Sequence, residues 1–393
     1  MRLAIVRQTY TPYGGAERFV ERALDVLVAR GVDITLVTRS WPNHGDPRIT
    51  PLLVNPPYLG RRMRDAGFAR GVCVALTRLP GTLVQSHERI ACCDIYRAGD
   101  GVHAVWVEER LRDAAMPERL ALAANPFHRY MLAAERRLYA SPRLKRVICI
   151  SQMVQTEIHE RFGLPRERLP VIYNAIDPAM FNPGLRSHRA ALRARYGIAD
   201  DATVFLLVGS AYARKGVARA LEALAALPAP AHLLVVGRDR NPQRYVALAR
   251  RLALEQRVTF AGAQTDPGPF YGAADVFVLP TLYDALSNAV LEALACGLPV
   301  VTSDRCGAGE LVLAHNAGTV CAARDVGAVA AGMGRLLEPT SRAIASANAL
   351  AAMRPLTPDA MAARLIALYE SLLPGAHLGH APVRAQAHRS ATL

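Results

Sequence analysis

Residues 203–226 read TVFLLVGSAYARKGVARALEALAA. The apolar run from Thr203 to Val208 suits a buried strand, Gly209 to Gly216 has loop composition, and residues 217–226 place apolar side chains at helical spacing. A further apolar run at 232–236 completes a strand–helix–strand unit. The amino-terminal segment repeats the plan: 3–6 are apolar, 11–15 carry turn residues, 16–30 have helical periodicity, Gly31 stops them, and 32–38 resume β character. Beyond 236 the spacing predicts helices over 242–254, 267–273 and 287–296 and strands over 258–260, 275–279 and 299–302. Alternation of this kind predicts parallel sheets covered by helices on both faces, an α/β fold of doubly wound, Rossmann-like domains.

At 393 residues the chain exceeds one ordinary core and predicts two domains facing a cleft. In the first half, 147–150 and 171–173 read as late strands, and the Pro- and Asn-rich stretch 174–184 reads as the linker. The expected division is 1–175 and 176–357, then an amphipathic helix over 358–374 that packs back on the first domain, then a disordered basic tail over 375–393.

A hydrophobic content of 51% with 20% charged residues belongs to a folded chain. No apolar run approaches the roughly 18–20 residues that span a bilayer, and the apolar stretch near the amino terminus is too short for a secretory signal, so a cytoplasmic protein is expected. The seven cysteines show no metal-ligand spacing and are expected to be reduced, buried thiols. Formal net charge is +14, and all but two of the 47 basic residues are arginine, the exceptions being Lys145 and Lys215. Such a chain needs an anionic partner. It carries no zinc-finger, RNP or basic-zipper pattern, so nucleic acid is not expected. Two arginine clusters have aromatic neighbours: Arg61, Arg62, Arg64 and Arg70 near Tyr58 and Phe68, and Arg129, Arg136 and Arg137 near Phe127, Tyr130 and Tyr139. They suit an anionic membrane surface or an anionic acceptor, or are simply solvated helix faces.

In doubly wound sheets ligands bind outside the carboxyl ends of the strands, which directs attention to the loops after Val6, Val208, Val236 and Leu279. The loop after Val208 runs from Gly209 to Arg214, Lys215 and Gly216 ahead of a helix, where two cations and helix N–H groups favour a diphosphate. The loop after Val236 opens on Gly237 and Arg238. After Leu279 comes Pro280-Thr281-Leu282-Tyr283-Asp284-Ala285-Leu286-Ser287-Asn288-Ala289-Val290-Leu291-Glu292. Ser287 is a plausible N-cap, Ser287, Asn288 and Ala289 offer backbone N–H groups, and the carboxylates of Asp284 and Glu292 each suit a diol. Glu292 sits among apolar neighbours and needs a partner there. After Val6, the glycines Gly14 and Gly15 allow close approach of backbone to a ligand.

These stretches resemble the retaining glycosyltransferases of family 4, which have the two-domain GT-B fold. The resemblance extends to about Leu373 and rests on Gly14-Gly15-Ala16-Glu17, Gly209 with Arg214-Lys215-Gly216, Asp275, and the run from Asp284 through Glu292 to Val300. The family's E-x7-E block begins here with an aspartate. Residues 37–41, 94–100, 214–217 and 301–307 are similar to family members that glucosylate heptose in the lipopolysaccharide inner core. The resemblance implies a nucleotide-sugar donor, UDP-glucose foremost, bound by the second domain, and a glycan or glycolipid acceptor bound by the first. It implies that Arg214 and Lys215 hold the leaving diphosphate, Glu292 the ribose and Asp284 the donor sugar, with Gly15 approaching from the opposite domain. Asp100 would orient or deprotonate the acceptor hydroxyl, His103 being the second choice; an ordinary turn residue is the plainer account of Asp100. No D-x-D motif occurs, so transfer without a metal or other cofactor is expected. An epimerase of the same architecture and a non-catalytic nucleotide-sugar sensor are the competing readings.

Overall fold

The computed structural model describes residues 1–9, 27–40 and 47–373. Gly14 and Gly15, most of the expected helix over 16–30, and the tail over 375–393 lie outside the described residues. The first sheet contains β1 (Arg2–Val6), β2 (Asp33–Thr38), β3 (Ile49–Leu53), β4 (Leu83–Ser86), β5 (Ile95–Ala98) and β6 (Arg146–Cys149) in the order β3-β2-β1-β4-β5-β6. The second contains β7 (Thr203–Val208), β8 (Ala231–Val236), β9 (Val258–Gly262), β10 (Val276–Leu279), β11 (Val300–Ser303) and β12 (Gly318–Cys321) in the order β12-β11-β10-β7-β8-β9. All pairings within both sheets are parallel. Both orders reverse beside their first strand, at β1/β4 and at β7/β10, which sets a ligand crevice at each.

Burial on both faces explains the uninterrupted apolar strands. Leu3 and Ile5 pack on one face of the first sheet with Ile34 and Leu36, whereas Ala4 and Val6 join Val37, Phe68 and Val84 on the other. The first of these faces is covered by the last described helix, Pro358–Leu372, through Met361, Leu365, Ile366 and Tyr369. Each such side chain contributes roughly 1.5–3 kcal/mol relative to exposure. Tyr369 also donates its hydroxyl to Gln85 Oε1 at 2.8 Å. The final helix therefore crosses back to the first domain and ties the two halves together.

Residues 171–173 do not form a strand; Val171 makes a single parallel bridge to Cys149 at the outer edge of β6. The connecting stretch after 174 is no loose tether: Ile176 and Phe181 enter the core, and the Ile176 N–H donates to Leu356 O at 3.2 Å. The expectation of seven reduced thiols is corrected. Cys73, on the helix Gly60–Leu76, and Cys92, in the loop between β4 and β5, form a disulfide across a Cα separation of 5.7 Å. Motif spacing misses this pair because tertiary packing, not sequence spacing, brings the thiols together.

Candidate active site

The two crevices face one another across a cleft of about 1270 Å³ lined by both domains. On the second domain, Arg214 and Lys215 lie in the short helical turn Tyr212–Lys215, which Gly216 separates from the helix Val217–Ala225. They precede that helix rather than sit within its first turn. Gly216 has φ +77°, and a Cβ there would lie 2.0 Å from the Pro280 carbonyl oxygen, so only glycine lets this turn close against the loop after β10. Leu282 N–H and Thr281 Oγ1 both donate to the Arg214 carbonyl, at 2.8 and 2.9 Å, locking the two loops together.

That lock brings Asp284 to the cations. Lys215 Nζ is 2.5 Å from Asp284 Oδ2, and Arg214 Nη1 is 3.4 Å from the same oxygen. Burial alone would raise the Asp284 carboxyl, but Lys215 and Arg214 outweigh it and hold the group below the usual carboxylate range. Among the described residues no donor engages Asp284 Oδ1, which leaves it to accept from a ligand hydroxyl. Gly209 lies against the Lys215 stem, where a Cβ would come within 2.9 Å of Lys215 Cε. Gly237 and Arg238 line the same wall.

Ser287 occupies the N-cap position of the helix Asn288–Ala295 but makes no capping hydrogen bond; its Oγ is buried without a partner at the cleft wall. Among the described residues the backbone N–H groups of Asn288 and Ala289 meet no protein acceptor and border the cleft. Glu292, on the second turn, is buried and accepts the Tyr271 hydroxyl at 2.7 Å, the partner that its apolar sequence neighbours demanded. Arg214, Lys215, Asp284, Ser287, Asn288, Ala289, Glu292, Gly209, Gly237 and Arg238 thus share one wall of the cleft.

Asp100 and His103 line the opposite wall. The Asp100 side chain is 63% exposed and only 3.9 Å from Arg89 Nη1, so it is available to an acceptor. His103 is differently placed: it shares a hydrogen bond with His128 at 3.1 Å, and burial, then Arg89 and His128, push its imidazole down to about 3. Asp100 is the more exposed of the two and the better placed to meet an acceptor hydroxyl.

Sequence reasoning missed the seam that joins the walls. Tyr283 Oη accepts the Val102 N–H at 2.9 Å and donates to Glu157 Oε2 at 2.7 Å, reaching from the second domain into the first beside Asp284. Burial raises Glu157 to about 7. Nearby, buried Arg97 donates to Asn174 Oδ1, and Asn174 Nδ2 donates to Asn288 Oδ1 at 2.6 Å. Glu310 of the second domain accepts the Gln152 and Met153 N–H groups of the first. Arg324 pairs with Glu109 at 2.8 Å and with Asp113 at 2.7 Å. No local pattern announces such partners, since each depends on how the domains meet.

The arginine–aromatic clusters do not persist as drawn from sequence. Phe68 and Tyr139 are core residues, and the Tyr58 ring lies under Arg39 at 4.6 Å. On the helix Pro126–Tyr139, Arg129, Arg136 and Arg137 are exposed, whereas His128, Leu138 and Tyr139 face inward. Of the seven arginines singled out, Arg61 alone borders the cleft. No helix of the described residues is long and apolar enough to cross a membrane.

Two doubly wound domains that close a cleft, with cations and carboxylates on the loops at one switch point, are those of a GT-B glycosyltransferase. Residues 13–180 match the family described as Glycosyltransferase Family 4 and residues 202–339 the one described as Glycosyl transferases group 1. The chain belongs to these GT-B, group 1 glycosyltransferases. It is 28% identical over 329 residues to the lipopolysaccharide glucosyltransferase WaaG of Escherichia coli K12, covering 82% of this chain and 85% of that protein. It is 26% identical to the D-inositol 3-phosphate glycosyltransferase of Mycolicibacterium smegmatis, over 86% of this chain and 81% of that one. A crystal structure of WaaG superimposes with a TM-score of 0.77 at 26% identity, covering 92% of this chain and 98% of that one. Anabaena HepE, solved with UDP and glucose, superimposes with a TM-score of 0.70 at 22% identity, covering 94% and 100%.

Proposed function

We propose that the chain is a retaining, metal-independent hexosyltransferase that moves glucose from UDP to a lipopolysaccharide-core or related glycolipid acceptor. The observation that carries this reading is the Lys215–Asp284–Arg214 cluster at the switch point of the second sheet. Departure of a nucleoside diphosphate builds negative charge on the leaving oxygen, and cations fixed beforehand stabilise that state more than the ground state. Two side-chain cations at this point supply the charge that a divalent metal supplies elsewhere. Asp284 orients the donor sugar, Glu292 the ribose, and Asp100 the acceptor hydroxyl. The glucosyl and lipopolysaccharide assignments follow the named activity of the WaaG relative.

Thermal-shift measurements with UDP-, ADP- and GDP-glucose, each with and without EDTA, test the donor. UDP-glucose is expected to raise the melting temperature by several degrees at saturating concentration, unchanged by EDTA, because a ligand at 100 times its Kd adds about 2.7 kcal/mol. A shift abolished by EDTA and restored by Mg²⁺ or Mn²⁺ would overturn metal independence. Proton NMR of the product's anomeric signal reports retention or inversion.

A glycolipid acceptor brings the enzyme to a membrane surface. Leu59 and Met63 at the start of Gly60–Leu76, and Met116 and Leu120 on one face of Met116–Ala124, are exposed apolar residues suited to it. Cosedimentation with phosphatidylglycerol vesicles at low salt is expected, and to fall severalfold in a Leu59→Glu/Leu120→Glu double variant. No binding by the native chain would end this part of the reading.

A further inference from the structure

The first-domain wall of the cleft carries chemistry that donor binding does not use. Four rings form one continuous group there: His103 stacks on Trp106 at 5.4 Å and on His128 at 5.2 Å, and Phe127 meets His128 at 5.6 Å and His103 at 6.3 Å. The spacing of His103, Trp106 and Arg110 places all three on one face of the helix His103–Arg112. Phe127 and His128 come from the start of the helix Pro126–Tyr139, which sits beside it. Glu135 fixes that arrangement, its two oxygens accepting the His103 and Ala104 N–H groups at 2.6 and 3.1 Å.

Two guanidinium groups flank the rings. Arg61 lies 4.8 Å over Phe127 and Arg110 lies 5.7 Å from the Trp106 centroid. Arg61 forms no ion pair among the described residues, and Arg110 meets only Glu118, through a half-exposed contact at 2.9 Å that is worth little. The other arginines of this wall are committed elsewhere, Arg89 to Glu135 and Arg97 to Asn174. Asp100 is the one acidic residue lining the wall among the described residues. The wall therefore offers an apolar stacking surface, one carboxylate beside it, and two arginines with little or no counter-charge.

We propose that this wall is the acceptor subsite and that the acceptor is a sugar bearing an anionic substituent, which Arg61 and Arg110 bind while Trp106 and the histidine rings pack against its C–H face. Arginine forks match phosphate and carboxylate oxygens, and aromatic faces accept the apolar side of a pyranose. The proposal rests on the reading of the cleft as a transferase site and adds the class of acceptor.

Trp106 reports on it directly. The chain has two tryptophans, so a Trp41→Phe chain leaves Trp106 as the only indole. With UDP present, its fluorescence is titrated with glucose, glucose 6-phosphate, glucuronate and inorganic phosphate. The two acidic sugars are expected to bind at least about tenfold more tightly than glucose, since hydrogen bonds between a guanidinium and an anion are stronger than those between neutral groups. Their order distinguishes phosphate from carboxylate. Inorganic phosphate, lacking a ring, should quench little. In an Arg61→Gln/Arg110→Gln variant the preference for acidic sugars should vanish while stabilisation by UDP-glucose persists. Equal binding of glucose and glucose 6-phosphate, or a preference unchanged in the double variant, would overturn the subsite. Absence of stabilisation by any nucleotide sugar, with the anionic preference intact, would instead overturn the donor reading.

Discussion

Substitution of Lys215 by alanine is expected to lower kcat/KM for transfer by about 10²–10³, the range measured when one fixed donor to a developing oxyanion is removed. Lys215 is 8% exposed, and its ammonium lies 2.5 Å from Asp284 Oδ2 at the mouth of the loop after β7. Arg214 remains at 3.4 Å from that carboxylate, so Asp284 keeps a counter-ion and the loop is expected to stay folded. The loss should fall chiefly on kcat, because the leaving group carries more charge in the transition state than in the bound donor. Lys215→Arg should recover only part of the activity, since a planar fork does not replace a compact ammonium on this short turn. Steady-state kinetics with UDP-glucose, alongside the melting temperature of each variant, separates chemistry from folding. A kcat/KM for Lys215→Ala within threefold of the native value would remove Lys215 from leaving-group stabilisation.

Lys215 and Asp284 were legible for a physical reason: each lies in a single loop that follows an uninterrupted apolar strand, and strand–loop–helix punctuation is local. The second domain shows such punctuation over most of its length, and five of its six strands fall within a residue or two of their expected positions, whereas the edge strand β12 was not anticipated. The first domain does not. β4 (Leu-Val-Gln-Ser) and β5 (Ile-Tyr-Arg-Ala) contain Gln85, Ser86 and Arg97, polar residues that break the apolar run yet are buried. Their partners come from far along the chain, Tyr369 for Gln85 and Asn174 for Arg97. β3 includes Pro51, tolerated because that strand is the edge of its sheet. The acceptor wall was legible only in pieces: Arg61 and Phe127 stood in separate arginine–aromatic clusters, and they meet Trp106 and His128 only once three separate helices pack.

Asp275 shows how a residue can belong to the recognisable pattern and yet serve the scaffold. It immediately precedes β10, the strand that delivers Asp284, and it lies at the base of the second domain. Its Oδ2 accepts from Arg193 Nη2 at 2.7 Å and from the Val204 N–H at 2.9 Å, while Oδ1 meets Arg189 at 2.9 Å and Arg186 at 3.5 Å. The Arg193 side chain is 1% exposed and, among the described residues, otherwise reaches only backbone carbonyls of Ala199, Asp200, Ala202 and Ala273. Asp275→Ala leaves that guanidinium buried without its closest counter-charge, which is expected to cost about 3–5 kcal/mol. Asp275→Asn keeps an acceptor for Val204 and should cost less. Burial would raise the Asp275 carboxyl, but the Val204 N–H and Arg189 and Arg193 outweigh it and hold it below its ordinary 3.8. A depressed carboxylate contributes stability that is fully present above its unfolded value and is lost as pH falls through its folded one. The gap between the native chain and Asp275→Asn should therefore be widest near neutrality and close in acid. Urea denaturation of all three proteins from pH 7 downward measures it, and a neutral-pH cost below about 1 kcal/mol for Asp275→Ala would show the cluster to be mere surface pairing. The folded fraction of Asp275→Asn should still bind UDP-glucose as the native chain does, because the carboxylate stabilises the base of the domain and touches no residue of the cleft wall.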